Sequence, residues 1–211
     1  MAAMVLFFPG IGFSRDSKKW PADFQIGADI MSRYIWRGLN LGGTGPSIQP
    51  TLKLNVGNTD HMFSVGGWGA YTFGPTSNQE VDMIVSYTFK GMLTLMVATN
   101  FYGNDARRMK EVNDSTFVVD GLQYSTYIEL GFKKRIKSFD FNAFVGGTVT
   151  SPDLSRHETG YYANTKAGFT TIGIKVARAI PVTEKYSIPI QASLIANPLQ
   201  NKFYIVFGIS F

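Results

Sequence analysis

The last nine residues of the sequence alternate between two kinds of side chain. Every second position carries a bulky apolar group: Phe203, Ile205, Phe207, Ile209 and Phe211. Because successive side chains of a strand point to opposite faces, the segment predicts a β-strand with one continuous apolar face. That face needs a cover. The cover is either a second protein layer, as in the core of a soluble β-sandwich, or membrane hydrocarbon around a closed barrel.

The composition favours the membrane alternative. Charged residues make up only 17% of the chain, against about 25% in an average soluble domain. No apolar run approaches the roughly 18 to 20 residues of a membrane helix, whereas alternating strands of a barrel average out to intermediate hydropathy. The chain has no cysteine, which excludes disulfides and thiolate metal sites.

The basic character of the chain does not indicate nucleic-acid binding. The net charge is +5, but the basic residues are scattered or lie in turns such as Lys133 to Lys137. A nucleic-acid interface would need a contiguous basic face. We therefore expect no nucleic-acid partner.

The first residues of the sequence differ from the rest. Residues 1–14 form a short apolar run with small residues near its end, which predicts a signal peptide, although the Lys or Arg usual at its start is missing. A buried first strand is the alternative. If residues 1–14 are a signal peptide, residues 15–22 are a polar periplasmic lead-in and residues 23–211 are the folded domain.

Ten segments of residues 23–211 alternate between apolar and polar side chains. They begin near Phe24, Ser47, Met62, Val81, Met92, Leu122, Phe139, Ile172, Tyr186 and Phe203. The first runs to Arg37, and Pro189 counts against the ninth because proline cannot donate to a strand ladder. Connections after the even-numbered segments are short, and both long loops, residues 103–121 and 151–165, follow odd-numbered ones. This parity predicts an all-β fold, a ten-stranded antiparallel transmembrane β-barrel of the bacterial outer membrane with both termini in the periplasm.

Aromatic residues near the predicted strand ends fit the two girdles at the membrane surfaces. They are Tyr34, Trp36, Tyr71, Phe73, Tyr87, Tyr102, Tyr124 and Tyr186. Each one alone is also an ordinary strand former.

Several motifs resemble the TorF-type porins, a family of bacterial outer-membrane barrel proteins, in the form of Bacteroidetes-like bacteria. The motifs are Asp29-Ile-Met-Ser32-Arg33-Tyr34-Ile-Trp36-Arg37-Gly38, Pro46-Ser-Ile-Gln49-Pro50-Thr-Leu, Trp68-Gly-Ala-Tyr71 and the phenylalanine-terminated end. The last also resembles the signature that the barrel-assembly machinery recognises. The resemblance implies a porin or channel, but a fold alone does not fix function.

The inward-facing charges are compatible with two predicted functions. The predicted pore-lining residues are Asp29, Arg33, Arg37, Lys53, Asp82, Glu129, Lys133 and Lys175. Their basic majority favours a thin hydrated channel for small, anionic solutes. In a barrel this narrow, the same charges equally fit a salt-bridged plug in a closed structural barrel with no conductance.

Other functions are weaker predictions. An outer-membrane enzyme would rest on His61 or on the sequence Ser155-Arg156-His157-Glu158, and neighbouring loop residues rarely form a catalytic set. A partner-binding barrel would use the outer loops around Arg107 to Lys110 and Tyr161-Tyr162, which would also face lipopolysaccharide. We find no cofactor motif, since no glycine-rich segment opens a helix. Asp105, Asp114 and Asp120 fit no calcium loop.

Overall fold

The computed structural model describes residues 21–74, 78–100, 107–113, 116–184 and 186–211. The strands are β1 (Ala22–Met31), β2 (Ile35–Trp36), β3 (Leu39–Asn40), β4 (Ser47–Gly57), β5 (His61–Thr72), β6 (Gln79–Phe89), β7 (Leu93–Asn100), β8 (Arg107–Asn113), β9 (Thr116–Leu122), β10 (Ser125–Ile136), β11 (Phe139–Thr148), β12 (Gly168–Pro181), β13 (Ser187–Asn197) and β14 (Lys202–Ser210). Among these residues, none belongs to a helix with the length and apolar character needed to span a bilayer.

Ten of the strands form one closed antiparallel barrel in the order β1-β14-β13-β12-β11-β10-β7-β6-β5-β4. The barrel closes where β1 pairs with β14 through Asp29 and Ser210, Ile30 and Ile209, and Met31 and Gly208. The predicted fold class, strand number and closure are confirmed. Pro189 lies within β13 opposite Ala179, so this strand tolerates the proline.

The two ends of the barrel differ in their connections. At one end, called here the short-turn end, residues 58–60, 90–92, 137–138 and 182–186 join neighbouring strands. The other end, called the long-loop end, carries residues 32–46 and 149–167 and the hairpin of β8 and β9. All four predicted short turns therefore lie at one end and both predicted long loops at the other, which also carries the short connection of residues 198–201.

The barrel wall separates apolar from polar side chains. Outward positions of β14 are exposed, with Phe203 at 73% and Phe207 at 58%, whereas inward Tyr204 and Val206 are buried. In β12 the same alternation points the buried side chain of Lys175 into the lumen. Its neighbours point outward: Ile174 is exposed and Val176 is partly exposed. The lumen is thus lined by polar groups, with some apolar ones, and the outer surface is apolar.

Three sequence predictions need correction. The first strand ends at Met31 rather than Arg37, and the predicted long loop at residues 103–121 contains the β8–β9 hairpin. Tyr34 and Trp36 are almost fully buried inside the barrel, so they belong to no girdle, whereas Tyr71, Phe73, Tyr124 and Tyr186 are exposed as predicted. The predicted signal peptide, Tyr102 and residues 15–20 of the lead-in lie outside the described residues, and Ala22 already belongs to β1.

Candidate functional site

The segment from Ser32 to Pro46, called here the plug, folds into the lumen at the long-loop end. Within it β2 and β3 form a hairpin in which Trp36 pairs with Leu39. The two residues between them, Arg37 and Gly38, have φ of 47° and 82°. Positive φ at both central residues is the mark of a type I′ turn, which favours glycine in the second position. This tight turn carries the side chain of Arg37 into the centre of the barrel.

Arg37 is fully buried and is held by aromatic rings and a carboxylate. Its guanidinium lies 4.3 Å from the ring centre of Trp36 and 4.8 Å from that of Tyr127. Nη1 donates to the hydroxyl of Tyr162 at 2.6 Å, and Nη2 lies 3.2 Å from Oδ2 of Asp82. Cation–π contacts and charged hydrogen bonds are strongest where water is excluded. The arrangement therefore fixes the tip of the plug.

Two carboxylates on β6 receive the aromatic side chains of the plug. The indole Nε1 of Trp36 donates to Asp82 at 2.9 Å, and the hydroxyl of Tyr34 donates to Glu80. The ring of Tyr34 also packs on Trp68 of β5, with ring centres 5.8 Å apart. Buried Trp and Tyr need such partners for their polar atoms. The plug is thus matched to one wall of the lumen.

The turn of the plug also reaches the opposite side of the barrel. Asn197 of β13 donates from Nδ2 to the carbonyl oxygen of Gly38 at 3.0 Å. A Cβ at Gly38 would lie 1.9 Å from the carbonyl oxygen of Thr170 in β12, so only glycine fits there. Since β6 and β12 lie four strands apart in the ring, the plug crosses the lumen.

Residues 149–167 add a second layer over the plug. Tyr162 is buried and stacks on Trp36 with ring centres 5.3 Å apart, and Tyr161 packs edge-on against both rings. Burial, together with the charges of Glu80 and Asp82, raises the pKa of Tyr161, so its phenol stays neutral. In the partner-binding alternative these two tyrosines are surface residues; in the structure Tyr162 is buried and Tyr161 is partly buried, and both pack over the plug.

An apolar layer narrows the lumen further. It consists of Met31, Ile35, Phe144, Ile195, Tyr204 and Val206. Glycines make room for it, because a Cβ at Gly173 would lie 2.3 Å from the ring of Phe144 and one at Gly208 would lie 2.2 Å from the sulfur of Met31. These six side chains therefore fill part of the lumen.

Three lysines face the lumen on the short-turn side of the plug. Asp82 and Tyr127 lie near the long-loop ends of their strands, whereas Lys53, Lys133 and Lys175 lie past the middle of β4, β10 and β12. Lys133 and Lys175 lie on either side of Asn142 in one row of the sheet, with β11 between them, and Lys53 lies on β4. The three lysines outnumber the inward carboxylates of Asp29 and Asp140, so basic side chains are in excess over these two acids.

The remaining predicted lining residues divide into two groups. Asp29 and Glu129 are buried at inward positions of β1 and β10, and Glu129 accepts the hydroxyl of Tyr127 at 2.6 Å. Arg33 and Arg37 are not on the wall, because the strand alternation that placed them there stops at Met31. Arg37 is instead the centre of the plug, and Arg33 is half-buried in the loop that follows β1.

Sequence reasoning missed the partners of Arg37. Tyr34, Trp36, Trp68, Tyr127 and Tyr162 form one buried aromatic cluster. The sequence signal for the plug is the two-residue turn Arg37-Gly38 between Trp36 and Leu39. It is weak because arginine is not a usual first residue of a type I′ turn.

In the segment from Ser155 to Glu158, the carboxylate of Glu158 binds backbone N–H groups. The carboxylate of Glu158 accepts the backbone N–H groups of Asp153 at 2.8 Å and Met109 at 3.0 Å, and the ring of His157 packs edge-on against Phe117. A hydrogen bond from Ser155 also lowers the pKa of Asp153. These contacts order the outer loops and connect residues 149–167 to the β8–β9 hairpin.

No family model, curated protein or solved structure matches this chain. The closed barrel and its plug are therefore inferred from the strand pairing and the contacts described above.

Proposed function

We propose that the protein is a bacterial outer-membrane β-barrel of the porin type, a channel for small anionic solutes that the plug holds closed. The observation that carries this proposal is a closed sheet, apolar outside and largely polar inside, with three lumen lysines on the short-turn side of the plug. The resemblance to TorF-type porins supports the same assignment.

The outer surface of the barrel supports a membrane location. The ten wall strands form a single layer, so no second sheet covers the exposed side chains of residues such as Phe24, Ile174 and Phe207. Hydrocarbon supplies that cover for a closed barrel, which has no free sheet edge. The short-turn end then faces the periplasm, the long loops face lipopolysaccharide, and β14 is the element presented to the barrel-assembly machinery.

The lumen supports anion preference once the plug is displaced. Lys133 and Lys175 lie on β10 and β12 with one strand between them, and Lys53 lies on β4, four strands from each, so a solute passing the short-turn side would meet positive charge from two sides of the lumen. In a narrow low-dielectric tube such charges raise the local concentration of anions.

Planar-bilayer recordings test the proposal. We expect the wild-type protein to be closed most of the time, and a variant with residues 34–44 replaced by a flexible glycine–serine linker of equal length to conduct with anion preference. Adding Lys53→Glu and Lys175→Glu to the linker variant should shift the reversal potential toward cation preference.

A closed structural barrel without conductance is the second candidate. It is favoured by the many contacts of Arg37, which fasten the plug to β6, β10 and residues 149–167. A linker variant that folds, as judged by heat-modifiable migration on a gel, yet passes no current would establish this second function and refute the channel.

A further inference from the structure

An apolar groove runs across the outer surface of β7 and β10 to β13. Its volume is about 490 Å³, within the roughly 300–1,000 Å³ of small-molecule sites. One row of paired residues forms its lower edge: Leu93, Phe132, Ala143, Ile174 and Leu194. Ala143 creates the depression, because its methyl group lies between the larger side chains of Phe132 and Ile174. The groove continues toward the long-loop end as far as Ala196.

Two cations stand beside the groove at the short-turn end. Lys134 follows Phe132 on the outward face of β10, and Arg178 follows Ile174 on the outward face of β12; both are exposed. The guanidinium of Arg178 lies 5.2 Å from the ring centre of Phe139, which is also outward. One strand separates β10 from β12, so these cations flank a space about 10 Å wide.

These two cations differ from the other charged residues of the wall strands because their side chains point outward. Among the described residues of the ten wall strands, Lys134 and Arg178 are the ones with a formal charge at outward positions. Charge on the lipid face is costly except near the headgroups, and both residues lie close to the short-turn ends of their strands. An anionic group beside the groove at that height would neutralise these two charges.

We propose that the groove binds an acyl chain of an anionic glycerophospholipid of the periplasmic leaflet, with its phosphate between Lys134 and Arg178. This inference rests on the proposed outer-membrane function, since the short-turn end must face the periplasm. The leaflet at that end contains glycerophospholipid, whereas lipopolysaccharide lies at the other end. A second copy of the chain would cover the apolar groove but would leave the two cations without an anionic partner.

Native mass spectrometry of protein released from bilayers tests the site. The bilayers contain equal amounts of phosphatidylglycerol and phosphatidylcholine with identical acyl chains. The wild-type protein should retain phosphatidylglycerol in preference to phosphatidylcholine. Each of Lys134→Gln and Arg178→Gln should lower phosphatidylglycerol retention by about fivefold. Phosphatidylcholine retention should fall less, because the choline group already offsets the charge of its phosphate. Ala143→Phe fills the groove from the lipid side and should lower retention of both lipids.

Lys202→Gln is the matched control, because Lys202 is exposed but lies at the opposite end of the barrel. Equal retention of the two lipids by the wild-type protein, or equal losses in Lys134→Gln and Lys202→Gln, would overturn the site. So would a lipid-free dimer that Ala143→Phe dissociates. Insertion into bilayers is scored on the same samples: a barrel that inserts without selective lipid retention refutes the lipid site alone, and one that does not insert refutes the proposed function.

Discussion

Replacing Asp82 with asparagine should release the plug while leaving the barrel wall intact. Oδ2 of Asp82 accepts Nε1 of Trp36 at 2.9 Å and pairs with Nη2 of Arg37 at 3.2 Å, and the side chains of the ion pair are 0% and 6% exposed. Removing one partner of a buried ion pair costs about 3–5 kcal/mol, because the other charge stays buried without compensation. No backbone hydrogen bond of the sheet depends on this carboxylate.

The expected gain in opening follows from that cost. At about 1.4 kcal/mol per factor of ten, a loss of about 3 kcal/mol from the closed state raises the open-to-closed ratio roughly 150-fold. Single-channel recordings in planar bilayers measure this ratio directly. Asp82→Asn should therefore convert rare openings into frequent ones, with unchanged heat-modifiable migration of the folded barrel.

Two further variants make this prediction specific. Asp140→Asn removes the partner of Arg135 at 3.6 Å, where the side chains are 60% and 20% exposed; such exposed pairs contribute only about 0–1 kcal/mol, so opening should change less than about fivefold. The double variant Arg37→Met with Asp82→Leu removes both charges, so it should open less often than Asp82→Asn, as expected for an apolar replacement of a buried ion pair. It should still open more often than the wild-type protein, because Trp36 loses its hydrogen bond to Asp82. The reasoning is refuted if Asp82→Asn and Asp140→Asn open the channel equally, or if the double variant opens more than Asp82→Asn.

Three other predictions address the plug, the interior and the outer surface. Trp36→Phe keeps an aromatic ring beside Arg37 but loses the hydrogen bond to Asp82, worth about 1.5–3 kcal/mol, so single-channel recordings should show at least a tenfold rise in opening; an unchanged open probability would contradict this. Gly173→Ala places a methyl group 2.3 Å from the ring of Phe144 and should lower the free energy of unfolding by about 1–3 kcal/mol, whereas Gly67→Ala, whose nearest neighbour is 4.0 Å away, should not; equal urea midpoints for the two would argue against the packed interior. Ile205→Arg puts a charge on the exposed outer face of β14 and should cost about 2–4 kcal/mol if that position lies near the membrane midplane, measured as the loss of folded barrel in bilayers.

The barrel could be predicted from the sequence because its strands obey a single rule. Along β14 and β12 every second residue faces outward, so the side-chain period alone assigns both the strand and its faces. Once the ten strands are assigned, the residues between them give the lengths of the connections, and the strand number is even. Even Pro189, which weakened the prediction for β13, does not interrupt the strand.

The plug could not be predicted because its pattern imitates a strand. Tyr34 and Trp36 alternate with Arg33 and Arg37 as they would at a membrane surface, yet the two aromatic residues lie inside the barrel. What places them there is the fit of their polar atoms to Glu80 and Asp82, more than 40 residues away in sequence. Such long-range matching leaves no periodic signal, and only the turn at Arg37-Gly38 marks the point where the chain reverses.

Site-directed spin labelling of β14 tests the central claim most directly, that one face of the barrel contacts hydrocarbon and the other faces a closed lumen. The chain contains no cysteine, so single cysteines at residues 203 to 209 can be labelled without background. In bilayers we predict oxygen-accessibility maxima at Phe203, Ile205, Phe207 and Ile209, with low accessibility to a water-soluble nickel complex there, and low values for both reagents at Tyr204 and Val206. Free access of the nickel complex to Ile205 and Phe207 would contradict the account.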